Sequence, residues 1–245
     1  MPSVAENDGK RSAEFVTGSL GPLIAVSVDR PPTSTELDSL SRSGADIVEW
    51  RVDRFEKQTV VDLPEKSNDD RPLSLLTIRN ANEGGGWKGT EDERLSAYLG
   101  SIEHFDLVDV EVASNIAASV VAGARSANVS IILSAHQMER AFETEELDAI
   151  ATGFDRLQGD VLKIACVANS EVEFRRLTTW LLSQESRAVA VVLMGAWGPA
   201  SRCLFPLLGS LVTYAHAASH TSTSGQLSLD ETYHLLRTLS PRFAS

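Results

Sequence analysis

Eight short apolar runs recur along the 245 residues, at 23–27, 46–52, 73–78, 107–112, 129–134, 161–167, 188–194 and 210–214. Each is rich in Val, Ile and Leu and too short for an ordinary helix, so each reads as a strand buried on both faces. Between them lie helix-start signals. Thr33 with Glu36, Thr90 with Glu93, Ser170 with Glu173, and Ser228 with Glu231 have the spacing of the capping box, in which a hydroxyl and a carboxylate satisfy the free amides that open a helix. Apolar residues on one side, as at Leu95, Leu99 and Ile102 or at Leu147, Ile150, Ala151 and Phe154, give each predicted helix one face to bury. Alternating strands and helices imply a parallel sheet. Eight such units in about 220 residues close most naturally into a single (β/α)8 TIM barrel, an α/β fold. An open doubly wound sheet obeys the same local rules, but its G-x-G-x-x-G fingerprint is absent, which favours the barrel.

The barrel is expected over residues 21–245 as one catalytic domain. Residues 1–20, polar and mixed in charge, are expected to form a mobile arm and lack the apolar core of a secretory signal. A net charge of −12 argues against nucleic acid and anionic membranes as partners, so an anionic substrate has to be held by local arginines. No apolar run approaches the ~20 residues needed to span a bilayer. The two cysteines, Cys166 and Cys203, lie far apart without clustered histidines. That spacing indicates neither a disulfide framework nor a metal site, and it fits a reducing cytoplasm. No cofactor is expected.

In a barrel of this kind the site lies at the C-terminal ends of the strands, and residues of one parity point inward. On the second run Glu49 and Arg51 share the inward parity, leaving Val48, Trp50 and Val52 to pack against helices. The third run ends in Arg79 and leads into a turn carrying Glu83 and three glycines, 84–86, a weak candidate for a phosphate cradle. The fifth ends in His136. On the sixth, Lys163 faces inward with Val161 and Ala165, leaving Cys166 outside. Taken singly, each polar residue has a plain reading: an ion pair, a satisfied histidine, a surface cation, or a lysine whose stem is buried while its amine reaches water. Together they place acid, base, cation and amine at one mouth. Of the other histidines, His104, His216 and His234 read as solvated or structural, and His220 in the last loop is the one to watch.

With these residues placed, the chain resembles type I 3-dehydroquinate dehydratase, a barrel family that works through a lysine Schiff base. The likeness is carried by GADIVEWRVD at 44–53, TIRNANEGG at 77–85, DVE at 109–111, SAH at 134–136, KIA at 163–165, SR at 201–202 and GQ at 225–226. The resemblance implies that Lys163 forms the imine, that His136 shuttles protons and that Glu83 orients it. It assigns the substrate carboxylate to Arg202 and the substrate hydroxyls to Glu49, Arg51 and Arg79. Ser27, Ser222 and Gln226 would complete the pocket, the last two on a closing loop. It further implies 3-dehydroquinate as the small-molecule substrate, 3-dehydroshikimate as product, no metal and a homodimer. Two departures stand out: Trp197 replaces smaller residues near the seventh strand end, and the closing loop 222–226 lacks the family's proline.

The mechanism then needs a neutral amine, and Arg51, Arg79 and the apolar barrel are expected to push Lys163 toward the free base. His136, near its ordinary pKa of ~6.5, would take the α-proton. Two other functions share these residues: a Schiff-base aldolase, and a non-catalytic relative that binds a pathway metabolite, which the change at Trp197 keeps open.

Overall fold

The computed structural model describes residues 21–58, 64, 71–217 and 226–240. Eight strands are present: β1 (Leu23–Val28), β2 (Ile47–Arg51), β3 (Leu73–Thr77), β4 (Leu107–Glu111), β5 (Ser130–Gln137), β6 (Val161–Val167), β7 (Val189–Met194) and β8 (Val212–Ala215). All paired neighbours are parallel, in the order β7-β6-β5-β4-β3-β2-β1-β8. The Leu211 amide donates to the Val189 carbonyl at 2.8 Å, bringing the two ends of that order together into a nearly closed barrel. The fold is therefore the expected (β/α)8 barrel. The expected arm, 1–20, lies outside the described residues.

Seven helices occur among the described residues: α1 (Ser34–Arg42), α2 (Glu91–Leu99), α3 (Ala117–Ser126), α4 (Thr144–Leu157), α5 (Glu171–Leu182), α6 (Gly198–Leu207) and α7 (Leu229–Leu239). All four expected capping boxes form, opening α1, α2, α5 and α7. A fifth opens α4, where Glu143 takes the place of the usual hydroxyl residue and pairs with Glu146.

Strand alternation divides the interior into two layers. Leu23, Ala25, Ile47, Leu75, Ile132, Val161, Val192 and Tyr214 fill the barrel itself. Trp50, Ile78, Val110, Leu133, Ile164 and Cys166 face outward and meet Tyr98, Val120, Leu147, Leu177 and Phe205 from the helices. Burying a Leu- or Val-sized side chain this fully contributes about 1.5–3 kcal/mol, so a register slip that exchanged the two faces would be strongly disfavoured.

The floor of the barrel has its own register device. Asp46, Asp106 and Asp160, each just before an even-numbered strand, accept at 2.8 Å from the amides of Ile24, Ser74 and Ile131 on the preceding odd-numbered strand. Ser210 does the same for Val191 at 2.9 Å. The bond repeats around the barrel at the end away from the site, where a polar residue serves stability.

Candidate active site

The strand ends open into a cavity of about 210 Å³, lined by Ser27, Glu49, Arg51, Arg79, Glu83, His136, Lys163, Arg202 and Gln226 among others. Nine of the ten expected site residues thus converge on one space. The tenth, Ser222, lies outside the described residues, as does His220.

Lys163, in the middle of β6, is 5% exposed. Its Nζ donates to Asp109 Oδ2 and to Tyr214 Oη, each at 2.9 Å, and stands 3.6 Å from Glu49 Oε1. The reading of a surface-reaching amine is therefore ruled out, but so is the expectation that Arg51 and Arg79 free it. Burial pulls its pKa down and Arg79 adds to this, yet Asp109, Tyr214 and Glu49 outweigh both and hold the group above its ordinary value. The resting amine is an ammonium.

Beneath it runs a buried charge network. Arg79 is 2% exposed rather than on the rim. It donates from Nη2 to Asp109 at 2.6 Å, and from Nη1 to Glu111 at 2.9 Å and Ser134 Oγ at 2.7 Å. The Ser134 hydroxyl passes its own hydrogen to Asp109 at 2.6 Å. Burial would raise the Asp109 pKa, but Arg79 and Lys163 drive it far below the carboxylate range, so it is a fixed anion. From α2, the fully buried Arg94 donates to the other oxygen of Glu111 at 2.7 Å.

Glu49 receives the Thr77 hydroxyl at 3.0 Å on one oxygen and a short bond from Ser27 on the other. The plain reading of Glu49 and Arg51 as an ion pair fails, because Arg51 turns back onto Asp53 through two bonds of 2.9 and 2.8 Å. That fork matches the carboxylate geometrically and is the stronger use of a guanidinium.

Glu83 sits on a single helical turn, Ala81–Glu83, capped by the Asn80 side chain. One oxygen, Oε2, accepts from the His136 backbone amide at 2.9 Å and stands 3.0 Å from His136 Nδ1. Burial raises the Glu83 pKa to about 7, with Glu111 and Asp109 adding to the shift and Arg79 opposing it. Burial, Arg79 and Lys163 push His136 well below its ordinary value, so it is neutral near pH 7. With Glu83 ionised, Nδ1 carries the proton and Nε2 is left as the free base. The adjoining glycines are not a phosphate cradle, because the amides of Gly84, Gly85 and Gly86 already donate to the Ala81 and Asn80 carbonyls and to Asp53. A Cβ on Gly85 would lie 2.0 Å from the Arg79 carbonyl oxygen, so the turn folds back onto the strand end and only glycine fits there.

Arg202, on α6, is 3% exposed and among the described residues donates only to the Leu193 carbonyl, at 3.2 Å. Among the described residues its Nε has no hydrogen-bond partner and no carboxylate pairs with it. Burial without an anion lowers its pKa to about 10. A buried guanidinium facing a cavity with donors unused is a receptor for an oxyanion. Trp197 does not narrow that cavity. Its ring stacks on Phe174 at 4.6 Å, and Phe174 stacks on Phe205 at 5.4 Å, which places it in the outer layer. Trp197 therefore gives the non-catalytic reading no support from the pocket.

Asp109, Ser134 and Tyr214 were missed as site residues although all three have the inward parity. The signal was available in Asp109, an acid two positions from Glu111 on a strand otherwise apolar. His216, read as solvated or structural, instead lines the mouth.

No group of three or more His, Cys, Asp or Glu side chains with metal-holding geometry occurs among the described residues. A model of the family described as Type I 3-dehydroquinase matches residues 24–242. The chain is 35% identical over 204 residues to a 3-dehydroquinate dehydratase of Thermococcus gammatolerans, covering 83% of this chain and 92% of that one. It is 30% identical over 201 residues to its counterpart in Thermodesulfovibrio yellowstonii, covering 81% and 88%. The crystal structure of the Aquifex aeolicus 3-dehydroquinate dehydratase superposes with a TM-score of 0.77 at 26% identity, covering 89% of this chain and 99% of that one.

Proposed function

The chain belongs to the type I 3-dehydroquinase family and is thus a hydro-lyase, a 3-dehydroquinate dehydratase, and from that premise we propose that it converts 3-dehydroquinate to 3-dehydroshikimate through an imine on Lys163. The observation that carries the reading is the company of three groups in one cavity: a buried amine, a neutral histidine backed by Glu83, and an arginine without an anion. Arg202 takes the substrate carboxylate and orients the ketone toward Nζ. Glu49, Arg51 and Arg79 hold the hydroxyls, with Ser27, Ser222 and Gln226 closing the pocket.

The imine step needs one proton lent and returned. The ammonium gives a proton to His136 Nε2, and the freed Nζ lone pair attacks the ketone carbon while a second amine hydrogen passes to the carbonyl oxygen. The borrowed proton then returns to that oxygen, the C–O bond breaks and water leaves, so the positive charge stays on nitrogen. The protonated imine is a better electron sink than the ketone. His136 Nε2 then removes the α-proton and returns it to the departing hydroxyl, a contribution of roughly 10² to 10⁴ in rate. Water hydrolyses the product imine and restores the ammonium. Because Glu83 titrates at about 7 beside His136, the pair as a unit sets the acid limb of kcat/KM.

The test is reduction with borohydride in the presence of 3-dehydroquinate, followed by peptide mass. The wild-type chain should gain a substrate-derived mass on the Lys163 peptide. Lys163→Ala should bind substrate yet neither gain that mass nor produce the ultraviolet absorbance of the enone. His136→Ala should accumulate the adduct without releasing product. Normal turnover by Lys163→Ala would refute the covalent route.

We also assign the enzyme to the cytoplasm as a homodimer. The supports are two cysteines that are free and no described helix long and apolar enough to cross a membrane. Exposed leucines at 204 and 207 on α6, at 208 just beyond it, and at 235 and 239 on α7 offer an apolar face for the second copy. Light scattering should give twice the 26.5 kDa chain mass, and a monomer across the micromolar range would count against the dimer.

A further inference from the structure

Lys163 Nζ is held from two opposite walls. Counting around the barrel through β1, β2 and β3, the strand β8 stands four places from β4, and β6 lies between them on the other side. Asp109 reaches in from β4 and Tyr214 from β8, each bonding Nζ at 2.9 Å. Nζ also stands 4.5 Å from the centre of the Tyr214 ring, at its hydroxyl end. Tyr214 is 5% exposed and belongs to the apolar inner layer, where a phenylalanine would fill the same space. A buried hydroxyl there needs a partner, and among the described residues Nζ supplies it.

We propose that Tyr214 is a positioning residue: with Asp109 it straps Lys163 across the barrel as an ammonium, and release of its hydroxyl from Nζ gates imine formation. This rests on the imine reading given above. The argument is a count of hydrogens. An ammonium has three donors and can serve Asp109 and Tyr214 together, whereas a protonated imine keeps one N–H and can serve one of them. Asp109 is a full anion, and a bond between charged partners is the stronger, so the tyrosine bond is the one surrendered on imine formation. The same bond is regained when water cleaves the product imine, which favours return of the free ammonium.

The other charged or titratable groups facing this amine are Glu49 from β2, Arg79 beyond β3 and His136 from β5, while Arg202 from α6 faces Tyr214. Removing one hydroxyl leaves all of these side chains in place, and Arg202, whose pKa Tyr214 raises, is the one besides Lys163 whose surroundings it alters. Tyr214→Phe keeps the ring and the inner-layer volume and deletes only the acceptor. A lost hydrogen bond to a charged group should then move the amine's titration about one pH unit downward.

The experiment follows borohydride capture of 3-dehydroquinate on the Lys163 peptide as a function of pH, in wild type and in Tyr214→Phe, with far-ultraviolet circular dichroism to verify folding. The acid limb of capture should lie about one unit lower in the variant, which is about tenfold more adduct at a pH on that limb. Coincident limbs would overturn the proposal, since a purely space-filling tyrosine predicts no shift. A second arm without substrate measures acetylation of Lys163 by acetic anhydride across pH, read by peptide mass. A lower midpoint in Tyr214→Phe supports the strap and an unchanged one refutes it. Because this arm needs no imine, failure of wild-type capture would defeat the imine reading while the anhydride result still judged the strap.

Discussion

A single carboxylate shows how burial sets chemistry at this mouth. Most acids here, Asp53, Glu49, Asp109 and Glu111, are pulled below their ordinary range because an arginine or lysine outweighs their burial. Glu83 goes the other way, to about 7, because burial outweighs the opposing Arg79 guanidinium, with Glu111 and Asp109 adding to the rise. The consequence for stability has a definite sign. With a folded pKa raised from 4.5 to about 7, Glu83 contributes fully below pH 4.5, and that contribution is lost as pH rises through 7. Glu83→Gln removes the cost of the buried charge. Its stability relative to wild type should therefore grow between pH 5 and pH 8 by up to about 3 kcal/mol. Urea unfolding at the two pH values measures the difference, and a gap that does not change with pH would contradict the assignment. His136, depressed by burial, acts at the other end, since its loss of stability comes as pH falls below 6.5.

At the scale of elements, the helices serve the site chiefly through what they fix at the strand ends. The box at Thr90 and Glu93 fixes the start of α2, where Glu91 receives the Asn80 side chain at 2.9 Å and so pins the turn that carries Glu83. Trp197 belongs to this scale as well. Seen in sequence beside the seventh strand end, it looked like a change to the pocket. In the fold it joins the turn before α6 to α5 through Phe174. Trp197→Ala should lower stability by on the order of 2 kcal/mol through lost packing and ring stacking, while KM stays within about twofold. A large rise in KM with unchanged stability would restore the pocket reading.

Across the whole molecule, one chain of charges links the helical shell to the reacting nitrogen: Arg94 to Glu111, Glu111 to Arg79, Arg79 to Asp109, Asp109 to Lys163. Arg94 also donates to the Ile78 carbonyl at 2.9 Å and to Ser114 at 2.7 Å, so it joins α2, the end of β3 and the segment after β4. Arg94→Met keeps much of the volume but leaves Glu111 buried with only Arg79 for a counter-ion. Breaking such a pair from one side typically costs about 3–5 kcal/mol. Denaturant melts should show a loss of that size, and borohydride capture should fall with it. A variant as stable as wild type would mean that Glu111 gains its stabilisation elsewhere.

The strand and helix pattern, the four capping boxes and the parity that sends Glu49, Lys163 and His136 inward were all legible in the residues. They follow from local rules of period and capping that act over three to eight neighbours. What the sequence left hidden is which charges meet. Arg51 pairs with Asp53 instead of Glu49, Lys163 rests charged instead of free, and Asp109 and Tyr214, 54 and 51 residues from Lys163, supply its bonds. Those choices depend on distances of about 3 Å between strands far apart in the chain. In a buried, low-dielectric mouth such distances decide protonation, and only closure of the barrel sets them.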